Sequence, residues 1–131
     1  MIYKPALAYN DVLLVPKYSD IVSRKEVDIS SALDSTRTLR LPIISSPMDT
    51  ITESSMANCM AKAGGLGVIH RYNSIEIQAQ QAYQVTTPER KAAAIGITSD
   101  YLERAQALYE VGVRILCLDV AHGHHILMKK A

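Results

Sequence analysis

LPIISSPMDTITESSMANCMAKAGGLGVIH, residues 41–70, holds an apolar run, a helical stretch and a second apolar run in that order. The two runs, Leu41–Ser46 and Leu66–His70, lack strict alternation, which suits parallel strands buried on both faces. Between them, Thr50 and Glu53 have the spacing of a capping box. The helix this predicts carries Met56, Met60 and Ala63 on one side, and Gly64 stops it. The stretch therefore reads as a complete strand–helix–strand unit.

The pattern recurs towards the C-terminus. Ala92–Ile97 and Val113–Val120 are two further apolar runs. Asn73 with Glu76 opens a second helix with Ile75, Ala79 and Ala82 as its stripe. Thr98 or Ser99 opens a third, Asp100 and Glu103 suit its positive end, and Gly112 closes it; a fourth begins near Gly123. Taking Ile43, Leu66, Ala92 and Ile115 as equivalent points, the spacings are 23, 26 and 23 residues. Eight such units need about 190 residues, the scale of a TIM-type (β/α)₈ barrel. The chain is expected to hold only the first four units over 41–131, its last helix truncated; a small open α/β sheet is the other reading. Residues 1–40 differ. They form a lead-in arm, punctuated by Pro5 and Pro16, with room for one or two short strands. Asn-Gly and Asp-Gly hairpin signals are missing. Val85–Arg90 is a short connector, so 1–131 is expected to be one domain.

With 48% hydrophobic and 21% charged residues, the composition argues against disorder. A net charge of +1 gives no electrostatic reason for nucleic acid or an anionic membrane as partner. No apolar run has transmembrane length, and Asn10 and Asp11 interrupt the one stretch that could open a signal peptide. A cytoplasmic protein is expected. Cys59 and Cys117 fit neither a disulfide framework nor a metal knuckle, and both are expected to be buried and inert.

Ligands of parallel α/β folds bind at the carboxyl ends of the strands. The strands exit there through Ser45, Ser46, Met48 and Asp49; His70 and Arg71; Gly96 and Thr98; Asp119 and His122, most of them polar. Helix capping alone accounts for about half of such residues. Asp119, ending an apolar strand, offers an acceptor for a sugar hydroxyl or a carboxamide. His122, His124 and His125 match no standard zinc spacing, and no metal site is assigned. Gly64, Gly65 and Gly67 precede a strand, whereas a phosphate-cradling loop must follow one.

YNDVLLVP (9–16), SSPMDTITE (45–53), GGLGVIHR (64–71) and LDVAHGH (118–124) together resemble the barrel domain of the IMP dehydrogenase and GMP reductase family. The resemblance implies that Ser46 and Met48 contact a purine nucleotide, IMP or GMP. It places Asp119 against the nicotinamide portion of NAD, or NADPH in a reductase, with His70 and Arg71 near that cofactor. It also implies hydride transfer at the purine C2, a cysteine nucleophile, a homotetramer, and a monovalent cation whose site is not in this chain. SSPMDTITE is more like the dehydrogenases. LDVA leans towards the reductases, Val120 and Ala121 being apolar where many dehydrogenases carry Ser or Thr. Val85–Arg90 stands where many dehydrogenases insert a pair of regulatory domains. The family nucleophile follows the sixth strand, and neither Cys59 nor Cys117 matches it. No catalytic residue is therefore assigned, and the 131 residues alone are expected to be inactive. A non-catalytic nucleotide-binding half-barrel and a structural remnant are the other readings.

Overall fold

The computed structural model describes residues 4–131. A small antiparallel hairpin, β1 (Ser31–Ala32) with β2 (Thr38–Leu39), precedes a four-stranded parallel sheet. In that sheet β3 (Ile44–Ser45), β4 (Leu66–Ile69), β5 (Ala92–Ile95) and β6 (Ile115–Leu118) lie side by side in chain order. The helices α1 (Ser54–Ala63), α2 (Ile75–Tyr83) and α3 (Tyr101–Glu110) connect consecutive strands. The sheet is open among the described residues, consistent with part of a TIM-type barrel.

Alternation along the strands divides the core in two. Ile69, Ala93 and Ile95 face the helices and meet Ala57 of α1, Ala82 of α2 and Leu108 of α3. Leu66, Val68, Ala92 and Ala94 face the other way, where Leu39 of the hairpin is buried against them with Leu33 alongside. The hairpin thus covers the side that the helices leave bare. Gly67 has a packing reason: a Cβ there would lie 2.5 Å from the Ala57 Cα. Gly64, at φ 93°, ends α1 in the left-handed conformation that glycine adopts at least cost.

Several expected boundaries move. Both outer strands are shorter than their apolar runs, and in β3 the reason is that Pro42 and an Ile43 N–H to Leu41 O bond (2.8 Å) bend the chain before Ile44. The capping box at Thr50 and Glu53 does not form. The N–H groups of Ile51 and Thr52 turn back to Met48 O instead, and α1 starts only at Ser54. Its inward residue is Ala57, while Met56 and Ala63 are exposed. Ser74 caps α2 in place of Asn73. The stretch after Gly123 is a 3₁₀ helix, Ile126–Lys129, capped by His125. The β1–β2 hairpin forms without Asn-Gly or Asp-Gly: the Asp34 carboxylate accepts the Thr36 and Arg37 N–H groups, the Thr36 hydroxyl and the Arg37 guanidinium. One side chain thereby organises the whole turn.

The arm from residue 4 to residue 30 is almost entirely exposed and contains only two 3₁₀ turns, Tyr9–Asp11 and Arg24–Glu26. No helix among the described residues is long and apolar enough to cross a membrane.

Candidate functional site

At the carboxyl ends of β4, β5 and β6 the loops enclose a cavity of about 410 Å³. Arg71, Thr98, Ser99, Asp100 and Asp119 supply its polar wall, and Ile97, Val120 and Ala121 its apolar part. Arg71 leaves β4 and spans the end of β5 to reach β6. Its Nε donates to Asp119 Oδ2 and its Nη2 to the Asp119 carbonyl, both at 3.1 Å. Gly96 lies beneath that passage, where a Cβ would make only ordinary contact with the guanidinium, at 3.6 Å. The pair is a quarter to a third exposed, so its value lies in geometry more than in Coulomb energy. Asp119 is anchored by its own N–H to Ile95 O at 2.9 Å. Among the described residues, no donor reaches its Oδ1. Ser99, at φ 60°, holds the cavity wall in a conformation uncommon for a residue with a side chain.

A larger cavity, about 640 Å³, opens at the opposite, amino ends of the strands between the hairpin and the connector. Of its three arginines, Arg37 pairs with the Asp34 carboxylate, Arg114 donates to Tyr109 O and Val113 O, and Arg90 donates through Nη2 to Thr38 O while its buried Nη1 has no partner among the described residues. That end of such folds serves stability, so size does not identify the site.

The other sequence-derived residues lie elsewhere. His70 is 3% exposed and does not line the cavity. Its Nδ1 accepts the Tyr72 N–H at 3.1 Å, which leaves the ring proton on Nε2, 3.5 Å from Glu53 Oε1. His70 therefore fixes the loop that carries Arg71. Ser46 and Met48 are exposed on the β3–α1 loop at the same end of the sheet but outside the Asp119 cavity. That loop is tied down by Thr52, whose hydroxyl donates to Ser46 O (2.6 Å) and accepts from the Ser45 hydroxyl (2.9 Å). The structure thus unites Arg71 with Asp119 and the Gly96–Thr98 turn, and leaves Ser46, Met48 and His70 apart from them.

The expectation of two buried thiols fails. Cys59 is exposed, because the inward position of α1 falls two residues earlier at Ala57. Cys117 is half-buried in β6, where burial, and then the nearby Asp119 carboxylate, push its thiol pKa up. Neither cysteine lines the cavity. Among the described residues, no three His, Cys, Asp or Glu side chains converge as a metal site. His122 and His124 meet edge-on at 6.4 Å, while the His125 Nδ1 accepts the Leu127 N–H. Sequence reasoning missed two buried polar residues behind the cavity, Gln78 and Arg104. The only signal was the i,i+4 spacing of Asp100 and Arg104.

A family model described as IMP dehydrogenase / GMP reductase domain matches residues 6–131. An inosine-5'-monophosphate dehydrogenase of Nitrosopumilus maritimus (strain SCM1) is 45% identical over 101 residues, covering 77% of this chain and 20% of the relative. The Bacillus subtilis (strain 168) enzyme of that name is 51% identical over 87 residues, covering 66% and 18%. That of Cryptosporidium parvum is 33% identical over 164 aligned positions, covering 92% and 40%. The chain spans about a fifth of the length of the first two and two-fifths of the third.

Proposed function

Because this chain belongs to the IMP dehydrogenase / GMP reductase family, we propose that it forms the first half of a purine-nucleotide oxidoreductase barrel, one that oxidises IMP to XMP with NAD. The observation that carries this reading is the Arg71–Asp119 pair, which presents a carboxylate with one free oxygen at the rim of a cavity. That oxygen suits the carboxamide or a ribose hydroxyl at the nicotinamide end of the cofactor, and Thr98 and Ser99 add hydroxyls nearby. NAD held there would supply the hydride acceptor for the purine C2. Asp119 holds and orients that end, Arg71 keeps the carboxylate aimed, and His70 acts through the loop it fixes. Ser46 and Met48 receive the purine nucleotide on the neighbouring loop. The proposed setting is the cytoplasm, and the proposed assembly of the complete barrel is a homotetramer.

The covalent step needs a thiolate beside the purine. With Cys59 on the outer side of α1 and Cys117 half-buried with a raised pKa, we assign the chain no nucleophile and expect no turnover from it alone. The second reading, a GMP reductase using NADPH, is favoured by the apolar Val120 and Ala121 in the cavity wall.

Calorimetric titration of the chain with NAD and with NADPH, alongside Asp119→Ala, tests the reading. Saturable NAD binding that Asp119→Ala abolishes is expected. Preference for NADPH would favour the reductase, and no binding of either would defeat both. NADH formation from IMP that Cys59→Ser or Cys117→Ser removes would overturn the assignment of no nucleophile.

A further inference from the structure

Gln78 occupies the inward face of α2, where an aliphatic residue would ordinarily pack, and it is 0% exposed. Its Nε2 donates to Ala94 O of β5 at 2.8 Å, with Ile69 O of β4 at 3.4 Å. Its Oε1 accepts from Arg104 Nη1 at 2.9 Å. Arg104, 7% exposed, carries the chain of bonds outward. Its Nη2 donates to the Asn73 carbonyl (3.1 Å), and Nη2 and Nε both reach Asp100 Oδ2 (2.7 and 3.1 Å). Asn73 lies two residues after Arg71, and Asp100 belongs to the cavity wall. A single guanidinium therefore ties the β4–α2 loop to the start of α3, and Gln78 ties that guanidinium to the ends of two strands.

We propose that Gln78 and Arg104 are positioning residues, a buried cross-brace that sets the spacing between two of the three loops walling the Asp119 cavity. The inference deepens the cofactor reading, on which its functional meaning rests. Stability alone does not explain the arrangement. A buried charged group seldom repays its desolvation, and apolar residues of similar volume would hold α2 against α3 at least as well. What they would lack is direction. Three of the four acceptors outside the Gln78–Arg104 pair are backbone carbonyls, and the planar, forked guanidinium serves two loops in fixed geometry.

Amide hydrogen exchange on the full chain, without ligand, tests the brace in wild type, Arg104→Met and Gln78→Leu. In both variants the amides of Tyr72 and of residue 104, which donate to His70 Nδ1 and to Asp100 O, are expected to exchange faster, on the order of tenfold, while amides 92–95 of β5 keep their protection. A uniform rise across the sheet would make the pair merely structural and overturn the proposal, as would no change at the loops. Should both variants fail to fold, Asp100→Asn, at a partly exposed side chain, must show the same local pattern more weakly; its absence would also refute the brace. A wild-type chain that binds no NAD removes the cofactor reading alone, since the exchange pattern is read without it.

Discussion

Residues 4–30 and residues 66–95 are equally apolar, nearly half of each segment being hydrophobic, yet they have opposite fates. In the arm, Tyr9, Leu13, Leu14 and Val22 are each more than nine-tenths exposed. In the second segment, Leu66, Ile69, Ala82 and Ala93 are almost wholly buried. What separates them is the backbone. Residues 66–95 satisfy their N–H and C=O groups in strand and helix, so one face of each element can leave water. The arm, with Pro5 and Pro16 and no sustained period, has no ladder on which to bury a side chain. Apolar content yields a core only where hydrogen bonding first supplies a surface to pack.

Mutations in the two regions should separate accordingly. Leu108→Ala, at the centre of the helix-facing core, is expected to cost about 3 kcal/mol in urea unfolding. A loss under about 0.5 kcal/mol, the size of an ordinary surface substitution, would mean that α3 does not hold the sheet. Gly67→Ala should cost about 2 kcal/mol, because its new methyl meets the Ala57 backbone and no flexible side chain can yield there. Wild-type stability in that variant would show that α1 can lift off β4 freely.

Between the regions stands the hairpin, where acid is the probe. The Thr36 N–H and hydroxyl, with Arg37, hold the Asp34 carboxyl well below the usual carboxylate range. A carboxyl lowered in the folded state adds stability above its unfolded pKa, and loses it as pH falls through the folded value. The turn should therefore persist through the ordinary carboxylate range near pH 4 and open only in stronger acid. Thr36 and Arg37 amide shifts followed by NMR report it; opening near pH 4 would contradict the Asp34 contacts. The smallest effect belongs to the arm. Leu13→Ser with Leu14→Ser should change unfolding by no more than about 0.5 kcal/mol, and a loss the size of Leu108→Ala would show that the arm packs after all.

The parallel strand–helix rhythm and the rim positions of Arg71 and Asp119, though not their pairing, were legible because they leave a local mark: apolar runs, glycine stops, a polar residue at a strand exit. The start of α1 was not. Thr50 and Glu53 satisfy the local rule for a cap, but the long-range pull of Thr52 towards Ser45 and Ser46 wins. The hairpin was hidden because Asp34 builds its turn from side-chain bonds that no dipeptide announces. Gln78 and Arg104 were hidden for a related reason. Their partners are carbonyls of Ile69, Asn73 and Ala94, and a carbonyl exposed by the fold has no letter in the sequence.

The monotonic order of the sheet governs how quickly the chain can find it. The paired residues Ile44 and Leu66, Val68 and Ala92, and Ala92 and Ile115 are 22, 24 and 23 positions apart. Every strand thus joins by closing a loop of nearly the same length, at nearly the same entropic cost, and none waits for distant ends to meet. Strand pairing between sequence neighbours alone lets order start at one pair and spread in either direction, as in a repeat array. The pairing of β5 with β6, four residues deep, is the natural place to begin. The two-residue β3, with the shallowest pairing, is expected to join last on refolding and to fray first.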